Sequence, residues 1–195
     1  MKKFLKSLLI PLVSFAIAAA VFPAGTSLLD SQTVLADTTA DISIKNGLFH
    51  EGTDWNYYVN GEIATGTTTL VKYNGNWWYV RNGKIDFDSQ TLCKYNGNWF
   101  YVSGGKVNFN ATTLCKYNGS WFYVEKGSVK FKTTLCKYNG TWWYVKNGVL
   151  NKSTTLCKYG NNWFAVSGGK VAWGYTGNMK YNGGTFKVVN GIVRF

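Results

Sequence analysis

The feature that most constrains the fold of this chain is a repeat of 21 to 22 residues. Lys-Tyr pairs place tyrosines at intervals of 22, 22, 21, 21 and 22 residues, at Tyr73, Tyr95, Tyr117, Tyr138, Tyr159 and Tyr181. A series of glycines keeps the same period, at Gly61, Gly83, Gly105, Gly127, Gly148, Gly169 and Gly191. Such a period is typical of arrays in which each unit packs only on its neighbours. We therefore expect a stack of similar small units.

Each unit carries the sequence signals of strands and tight turns. Asn96-Gly97 lies between two runs of strand-forming residues, and an Asn-Gly pair supplies the positive φ angles of a two-residue hairpin turn. A second turn, such as Gly104-Gly105, precedes a short third run. The sequence predicts an all-β solenoid of repeated β-hairpins or three-stranded meanders, with about 21–22 residues per unit.

The two-residue turn decides which side chains share a face of the hairpin. It pairs Tyr95 with Asn98, Lys94 with Trp99, Cys93 with Phe100 and Leu92 with Tyr101. The face with Cys93, Phe100, Val102, Val107 and Phe109 is apolar, and we expect it to form the core. The opposite face carries Leu92, Lys94, Trp99 and Tyr101, and we expect it to be exposed and to bind a ligand.

Four cysteines occupy the same place in successive units, at Cys93, Cys115, Cys136 and Cys157. Val71 and Met179 hold this place in the flanking units, so the position accepts a mid-sized apolar group, which a buried thiol resembles. The spacing lacks the C-x-x-C pairs of a zinc site. We expect buried free thiols, with disulfides between adjacent units as the alternative.

The N-terminus has the pattern of an export signal. A basic MKKFLK segment precedes an apolar run at residues 7–22 that is short for a membrane span, and Val34-Leu35-Ala36 fits a cleavage site. Cleavage near Ala24 and an uncleaved anchor are the alternatives. We predict a signal peptide at 1–36, a linker at 37–47 and a repeat domain at 48–195. Within that domain we expect a divergent first unit at about 48–69, regular units at about 70–174 and a divergent last unit at about 175–195.

The chain is strongly basic, with a formal net charge of +12. A basic surface favours anionic polymers such as teichoic acids or anionic glycans, and export makes nucleic acid the weaker candidate, so we expect no nucleic-acid partner. We expect a secreted protein, associated non-covalently with a cell wall or surface, without a transmembrane segment once the signal is removed. The oligomeric state is left open.

The stretch QTLCKYNGNWFYVSGGKV at residues 90–107 resembles the pattern T-G-W-x-K-x-x-G-x-W-Y-Y-L-x-x-x-G-x-M of choline-binding and glucan-binding repeats. These repeats form a group of cell-wall-binding modules in Gram-positive bacteria. The resemblance covers about residues 48–195. It implies a solenoid of β-hairpins that holds ligands between the aromatic residues of neighbouring hairpins.

One departure from the family pattern bears on the ligand. Where choline-binding repeats carry the tryptophan of their Gly-Trp pair, this chain has Leu70, Leu92, Leu114, Leu135 and Leu156, and Asn178 in the last unit. A quaternary ammonium group needs several π faces around it, so we expect the loss of this wall to remove choline binding. The periodic lysines add positive charge beside each site, which favours a phosphate-bearing wall polymer or a sugar.

The predicted ligand-binding residues are Trp77, Tyr79, Lys94, Trp99, Tyr101, Lys116, Trp121, Tyr123, Lys137, Trp142, Tyr144 and Trp163. The predicted core aromatics are Trp78, Phe100, Phe122, Trp143 and Phe164. Packing between units is the alternative role for the tryptophans, and a solvated surface is the alternative for the lysines.

We expect no catalysis, no cofactor and no metal site. The single histidine, His50, lies outside the regular repeat, and Asp86 and Asp88 occur in one unit only, so neither a triad nor a repeated acid and base pair is available. His50, Glu51 and Asp54 are interpreted as polar residues of a terminal cap.

The sequence therefore predicts a cell-wall or surface-binding repeat protein that holds anionic or saccharide polymers through many weak sites. Two alternatives stay open. One is a lectin-like or toxin-like binder of host glycans, and the other is a structural array or a spacer that binds a protein partner.

Overall fold

A computed structural model describes residues 44–195. In this range the backbone forms strands and turns without a helix, as the all-β prediction requires. Accordingly, this part of the chain contains no helix suited to crossing a membrane. The predicted signal peptide and residues 37–43 of the predicted linker lie outside the described residues.

Twenty-one strands form seven repeats, and each repeat is an antiparallel hairpin followed by a short third strand. Repeats 1 to 4 contain β1 (Gly47–Glu51), β2 (Asp54–Val59) and β3 (Glu62–Ile63); β4 (Thr68–Tyr73), β5 (Asn76–Arg81) and β6 (Lys84–Ile85); β7 (Gln90–Tyr95), β8 (Asn98–Ser103) and β9 (Lys106–Val107); and β10 (Thr113–Tyr117), β11 (Ser120–Glu125) and β12 (Ser128–Val129). Repeats 5 to 7 contain β13 (Thr134–Tyr138), β14 (Thr141–Lys146) and β15 (Val149–Leu150); β16 (Thr155–Tyr159), β17 (Asn162–Ser167) and β18 (Lys170–Val171); and β19 (Gly177–Tyr181), β20 (Gly184–Val189) and β21 (Ile192–Arg194). The predicted architecture of repeated three-stranded meanders is confirmed.

The hairpin register follows from the Asn-Gly turns. Asn96 and Gly97 have φ angles of 45° and 78°, as a two-residue turn with left-handed central residues requires. Between β7 and β8 the opposed pairs include Lys94 with Trp99, Cys93 with Phe100 and Leu92 with Tyr101. The predicted register is therefore confirmed.

Main-chain hydrogen bonds join each repeat to the next. The Tyr79 N–H in β5 donates to the Gly105 carbonyl of the following repeat at 2.7 Å, and the Tyr79 carbonyl accepts from Asp86 N–H of its own repeat at 3.1 Å. The same pair of bonds recurs at Tyr101, with Gly127 and Asn108. The third strand of each repeat thereby holds its own hairpin against the preceding one.

Both faces of a hairpin are buried, each against a different neighbour. Leu70 and Tyr79 of repeat 2 pack on Cys93, Val102 and Val107 of repeat 3. In the next junction, Leu92 and Tyr101 of repeat 3 pack on Cys115 and Val124 of repeat 4. The core is therefore a series of layers between successive hairpins, because one narrow hairpin cannot bury its own side chains.

The predicted core face is confirmed for Cys93, Val102 and Val107, which are buried, but the prediction that the opposite face is exposed is wrong for Leu92 and Tyr101. Leu92 and Tyr101, assigned to the exposed face, are only 4% and 6% exposed because the next hairpin covers them. Phe109, assigned to the core, is 49% exposed because it follows the third strand, where no further hairpin covers it.

The cysteine prediction is confirmed. Cys93, Cys115, Cys136 and Cys157 are free and buried, and each lies in the layer between two hairpins. Burial raises the pKa of each thiol from 9.0 to about 11, because the thiolate loses its solvation there.

The close approach of neighbouring repeats gives a first test. Gly127 has φ +71°, and a Cβ atom there would lie 2.6 Å from the Asn108 carbonyl oxygen of the preceding repeat. Gly119 has φ +82°, with open space around its Cβ position. We expect Gly127→Ala to lower the free energy of unfolding by roughly 1–3 kcal/mol more than Gly119→Ala. Both substitutions place an alanine at a positive φ angle, but only the Cβ atom at position 127 would also overlap the preceding repeat. Urea unfolding followed by circular dichroism measures both, and equal losses would contradict the close approach.

The burial of the thiols gives a second test, which is how the free energy of unfolding depends on pH in alkaline solution. Because the folded-state pKa values are raised from 9.0 to about 11, the unfolded chain loses its thiol protons first, and the stability present below pH 9 falls between pH 9 and 11. Valine, the residue found at position 71, is the matched replacement. We expect the variant with valine at all four cysteine positions to lose less unfolding free energy over this interval than the natural chain. If the free energy of unfolding changed with pH in the same way in both proteins, folding would not protect the thiols from losing their protons.

Candidate functional site

An aromatic pair bridges each junction between repeats. The tryptophan at the start of one repeat's second strand meets the last tyrosine of the next repeat's first strand, at a ring-centroid distance of 4.9–5.1 Å. The six pairs are Trp55–Tyr73, Trp77–Tyr95, Trp99–Tyr117, Trp121–Tyr138, Trp142–Tyr159 and Trp163–Tyr181. The planes are inclined by 56–65°, so the two rings form an open wedge and not a closed stack.

The wedge between repeats 2 and 3 opens into a cavity of about 350 Å³. Its lining comprises Leu70, Trp77, Tyr95, Asn96, Asn98, Phe100, Val107 and Phe109. Four of these side chains are aromatic, and Leu70 and Val107 belong to the buried layer behind them. The cavity therefore presents π faces above an apolar floor.

The same arrangement recurs along the array. The cavity between repeats 3 and 4 measures about 180 Å³ and is lined by Leu92, Trp99, Tyr117, Asn118, Phe122, Val129 and Phe131. The cavity between repeats 6 and 7 measures about 320 Å³ and is lined by Leu156, Trp163, Tyr181, Asn182, Gly184, Phe186, Val193 and Phe195. In these three cavities the side chains that form the lining carry no charge. Equivalent positions thus build equivalent sites.

Two groups of aromatic residues at these sites were missed by the sequence reasoning. The first is the tyrosine of the repeat motif, such as Tyr95, which was used only to measure the period. The second is the exposed ring two residues after the core residue of the third strand, found as Phe87, Phe109, Phe131, Trp173 and Phe195. The same 22-residue period that aligned the glycines would have aligned these rings as well.

These rings change the argument made from the missing Gly-Trp tryptophan. Leu70, Leu92 and Leu156 stand at that place and form part of the cavity floor. Phe109, Phe131 and Phe195 supply a further ring at the same cavities from the third-strand side. The premise that each site has lost an aromatic wall without replacement is therefore wrong.

The four tyrosines predicted to bind ligand are not on an exposed face. Tyr79, Tyr101, Tyr123 and Tyr144 are 3–7% exposed and lie in the layers between hairpins. Burial is the main cause that raises the pKa of Tyr79, Tyr123 and Tyr144. The Tyr101 hydroxyl is satisfied within the protein, by a hydrogen bond from Gln90 Nε2 at 2.8 Å.

The predicted tryptophans and the predicted core aromatics have more similar environments than the sequence suggested. Trp77 and Trp99 are half-buried, and so are Phe100 and Phe122, which were assigned to the core. All four line cavities, because each cavity takes its tryptophan from the repeat before it and its other rings from the repeat after it. Phe100 and Phe122 pack against the buried layers, as predicted, and they also line the cavities.

The predicted lysines are exposed beside the tryptophans. Lys94, Lys116 and Lys137 stand directly opposite Trp99, Trp121 and Trp142 in their hairpins. Lys116 also lines the cavity between repeats 4 and 5. The sites thus combine uncharged aromatic wedges with a positive charge at the neighbouring position.

Aromatic rings of the array already contact ammonium groups of the protein itself. The Lys170 Nζ atom lies 4.9 Å from the Trp143 ring centroid, and the Lys106 Nζ atom lies 5.9 Å from that of Trp78. These distances are in the range of cation–π attraction. The indole rings of Trp78 and Trp143 thus each lie beside an ammonium group of the following repeat.

The junction between repeats 4 and 5 differs from the others. Its cavity measures about 640 Å³ and is lined by Lys116, Gly119, Ser120, Trp121, Tyr138, Trp143, Val149, Leu150 and Lys152. The Trp143 indole N–H, which is buried, has no acceptor within residues 44–195, whereas the Trp78 N–H donates to the Tyr73 carbonyl at 3.2 Å. This site is basic and polar where its counterparts are uncharged.

Polar residues cluster at the N-terminal end of the array. Glu51 accepts hydrogen bonds from Lys45, from Tyr58 Oη at 2.6 Å and from Asn56 Nδ2 at 3.0 Å. The Lys45 hydrogen bond is the main cause that lowers the pKa of this carboxyl to about 2. Asp54 pairs with Lys84 at 2.6 Å. Residues 44–195 contain no group of three or more His, Cys, Asp or Glu side chains placed to hold a metal ion.

Comparison with known proteins identifies the repeat. A model described as the choline-binding repeat matches five consecutive segments, residues 66–86, 88–108, 110–130, 131–151 and 152–172, which together make up just over half of the chain. Similar solved structures include choline binding protein F from Streptococcus pneumoniae, at 23% identity and a TM-score of 0.32, and CbpJ from Streptococcus pneumoniae TIGR4, at 18% and 0.33. Each comparison covers 77% of this chain and 52% of the other, so this chain spans about half the length of either protein.

A third similar structure is an alternansucrase in complex with isomaltotriose, at 16% identity and a TM-score of 0.36, covering 75% of this chain and 12% of the enzyme. No curated protein sequence matches the chain. The predicted resemblance to cell-wall-binding aromatic repeats is confirmed, and the chain belongs to the choline-binding repeat family.

Proposed function

We propose that this chain is an exported, surface-associated protein that holds an anionic, choline-bearing wall polymer at the junctions between its repeats. The observation that carries the proposal is the recurrence of the Trp–Tyr wedge at six junctions, with further aromatic rings in the cavities found at four of them. The choline-binding repeat is a binding module, so the proposed role is binding and not catalysis.

The cavity lining favours a quaternary ammonium group. Trp77, Tyr95, Phe100 and Phe109 surround the cavity between repeats 2 and 3, and its lining contains no lysine or arginine to repel a cation. Each ring face contributes roughly 0.5–2 kcal/mol of attraction to a desolvated cation. The trimethyl surface of choline also fits an apolar floor, here supplied by Leu70 and Val107.

The periodic lysines favour the polymer that carries the choline. They lie outside the three uncharged cavities but beside their tryptophans, where they would meet the phosphate groups of an anionic chain. Because Lys94 and Lys137 are exposed and line none of the cavities, their repulsion of a cation inside a cavity is screened by water and salt. The net charge of +12 supports attraction to the same polymer over longer distances.

Repetition supplies the strength that a single site lacks. The six wedges are regularly spaced along one array, and a polymer with many pendant groups can occupy several of them together. Linked weak sites reach an avidity well above that of any one site. The proposed surface association therefore needs no covalent attachment.

Retention on purified cell walls tests this function. We expect the protein to bind walls whose polymer carries choline, to bind walls carrying ethanolamine much more weakly, and to be eluted by free choline. The methyl groups are the only difference between the two head groups, so the comparison isolates recognition by the aromatic wedges. Equal retention on both walls, without elution by choline, would contradict the proposal.

A single ring gives a sharper test of the cavity. Phe109 is 49% exposed and lines the site between repeats 2 and 3, so Phe109→Ser removes a cavity wall with little loss of packing. We expect choline affinity at this junction to fall by about 2- to 30-fold, since one cation–π contact is lost. Calorimetric titration of choline into the purified variant measures this change. Val59→Ser is the control, because Val59 is an exposed apolar residue that lines none of the cavities described here.

The lysines are tested separately from the rings. We expect Lys94→Gln combined with Lys137→Gln to weaken binding to the anionic polymer at low salt, and to reduce the dependence of that binding on salt concentration. Free choline affinity should stay the same, because neither residue lines an uncharged cavity. A salt dependence equal to that of the natural chain would show that these lysines do not contact the polymer.

A further inference from the structure

One position separates the junction between repeats 4 and 5 from its counterparts. Lys152 occupies the place that a phenylalanine or tryptophan holds in other repeats. Lys152 and Phe109 also occupy equivalent places in the structure. A Cβ atom added to Gly169 would lie 2.9 Å from Lys152 Cα, and one added to Gly127 would lie 2.6 Å from Phe109 Cα. At this junction the exposed ring is thus replaced by an ammonium group.

Positive charge converges on this junction. Lys116 and Lys152 both line its cavity, whereas the three equivalent cavities, which also open at a Trp–Tyr wedge, have no charged side chain in their lining. The Lys170 ammonium approaches Trp143, which lines the same cavity, at 4.9 Å from the ring centroid. The lining residues include no carboxylate to neutralise these lysines. The junction therefore repels a quaternary ammonium group and attracts an anion.

The remaining rings and the size of the space limit the kind of anion. Trp121, Tyr138 and Trp143 still present aromatic surfaces to the cavity, and Ser120 adds a hydroxyl group. At about 640 Å³ the cavity is larger than the 180–350 Å³ of its uncharged counterparts. Aromatic faces bind the C–H surfaces of a sugar ring, while paired ammonium groups bind a phosphate oxygen.

We propose that the junction between repeats 4 and 5 is a site for a phosphate-bearing sugar, with Lys116 and Lys152 on the phosphate and the indole rings of Trp121 and Trp143 on the sugar. The array then carries two kinds of site, which bind different parts of one polymer. This inference goes beyond the proposed function, because an anion bound at this junction does not depend on choline at the others.

Glucose 6-phosphate is the probe, with glucose and inorganic phosphate as the two partial ligands. In equilibrium titrations of the full chain we expect glucose 6-phosphate to bind more tightly than either partial ligand, and Lys152→Gln to weaken it by about tenfold. Lys146→Gln is the matched control, because Lys146 is an exposed lysine of the same repeat that does not line the cavity. Equal weakening by both variants, or equal binding of inorganic phosphate and glucose 6-phosphate, would overturn the assignment.

A second substitution of Lys152 tests whether this junction binds a different ligand from the other junctions. Lys152→Phe restores the residue found at positions 87, 109 and 131, so it is expected to fold normally. We expect this variant to lose glucose 6-phosphate binding and to gain one choline site in calorimetric titration. Retained glucose 6-phosphate affinity in this variant would contradict the inference. A natural chain that binds glucose 6-phosphate but no choline would instead contradict the proposed function alone.

Discussion

The structure depends on the inability of one short hairpin to bury its own apolar side chains. Each hairpin has only two strands of five or six residues, so both of its faces must be covered by something else. The neighbouring hairpins supply that cover, one on each side, and the fully buried valines at positions 80, 102, 124, 145 and 166 mark successive layers. A hydrogen bond from one repeat to the next, such as Tyr79 N–H to the Gly105 carbonyl, fixes the stacking distance.

The same stacking creates the candidate sites. In the buried layer between two hairpins the side chains pack closely, as Leu70 does against Cys93 and Val102. Nearer the turns the larger rings of Trp77 and Tyr95 meet at an angle of 58° and leave an open wedge. A ligand in this wedge would contact side chains of two repeats, so the proposed binding and the packing of repeats use the same residues. This shared use explains why most predicted site residues resemble core residues.

The sequence predicted the repeat, the turns, the register and the buried thiols, because these depend on local signals such as Asn96-Gly97 and on period. It did not predict which faces are exposed, since alternation along a strand identifies two faces but does not show that both are covered. Tyr101 and Leu92 were placed outside for this reason, and Phe109 was placed inside. The cavities also combine Trp77 with Tyr95, residues of different hairpins, and their contact depends on stacking geometry that no single repeat encodes.

The proposed ligand sites lie between stacked repeats and therefore exist only in the folded array. The most direct measurement is the thermal unfolding midpoint of the chain as a function of choline concentration, with ethanolamine at equal ionic strength as the reference. A ligand that bridges two repeats binds the native state alone, so the midpoint is predicted to rise steadily with choline. A midpoint that stays constant with choline, or that rises equally with ethanolamine, would contradict the account.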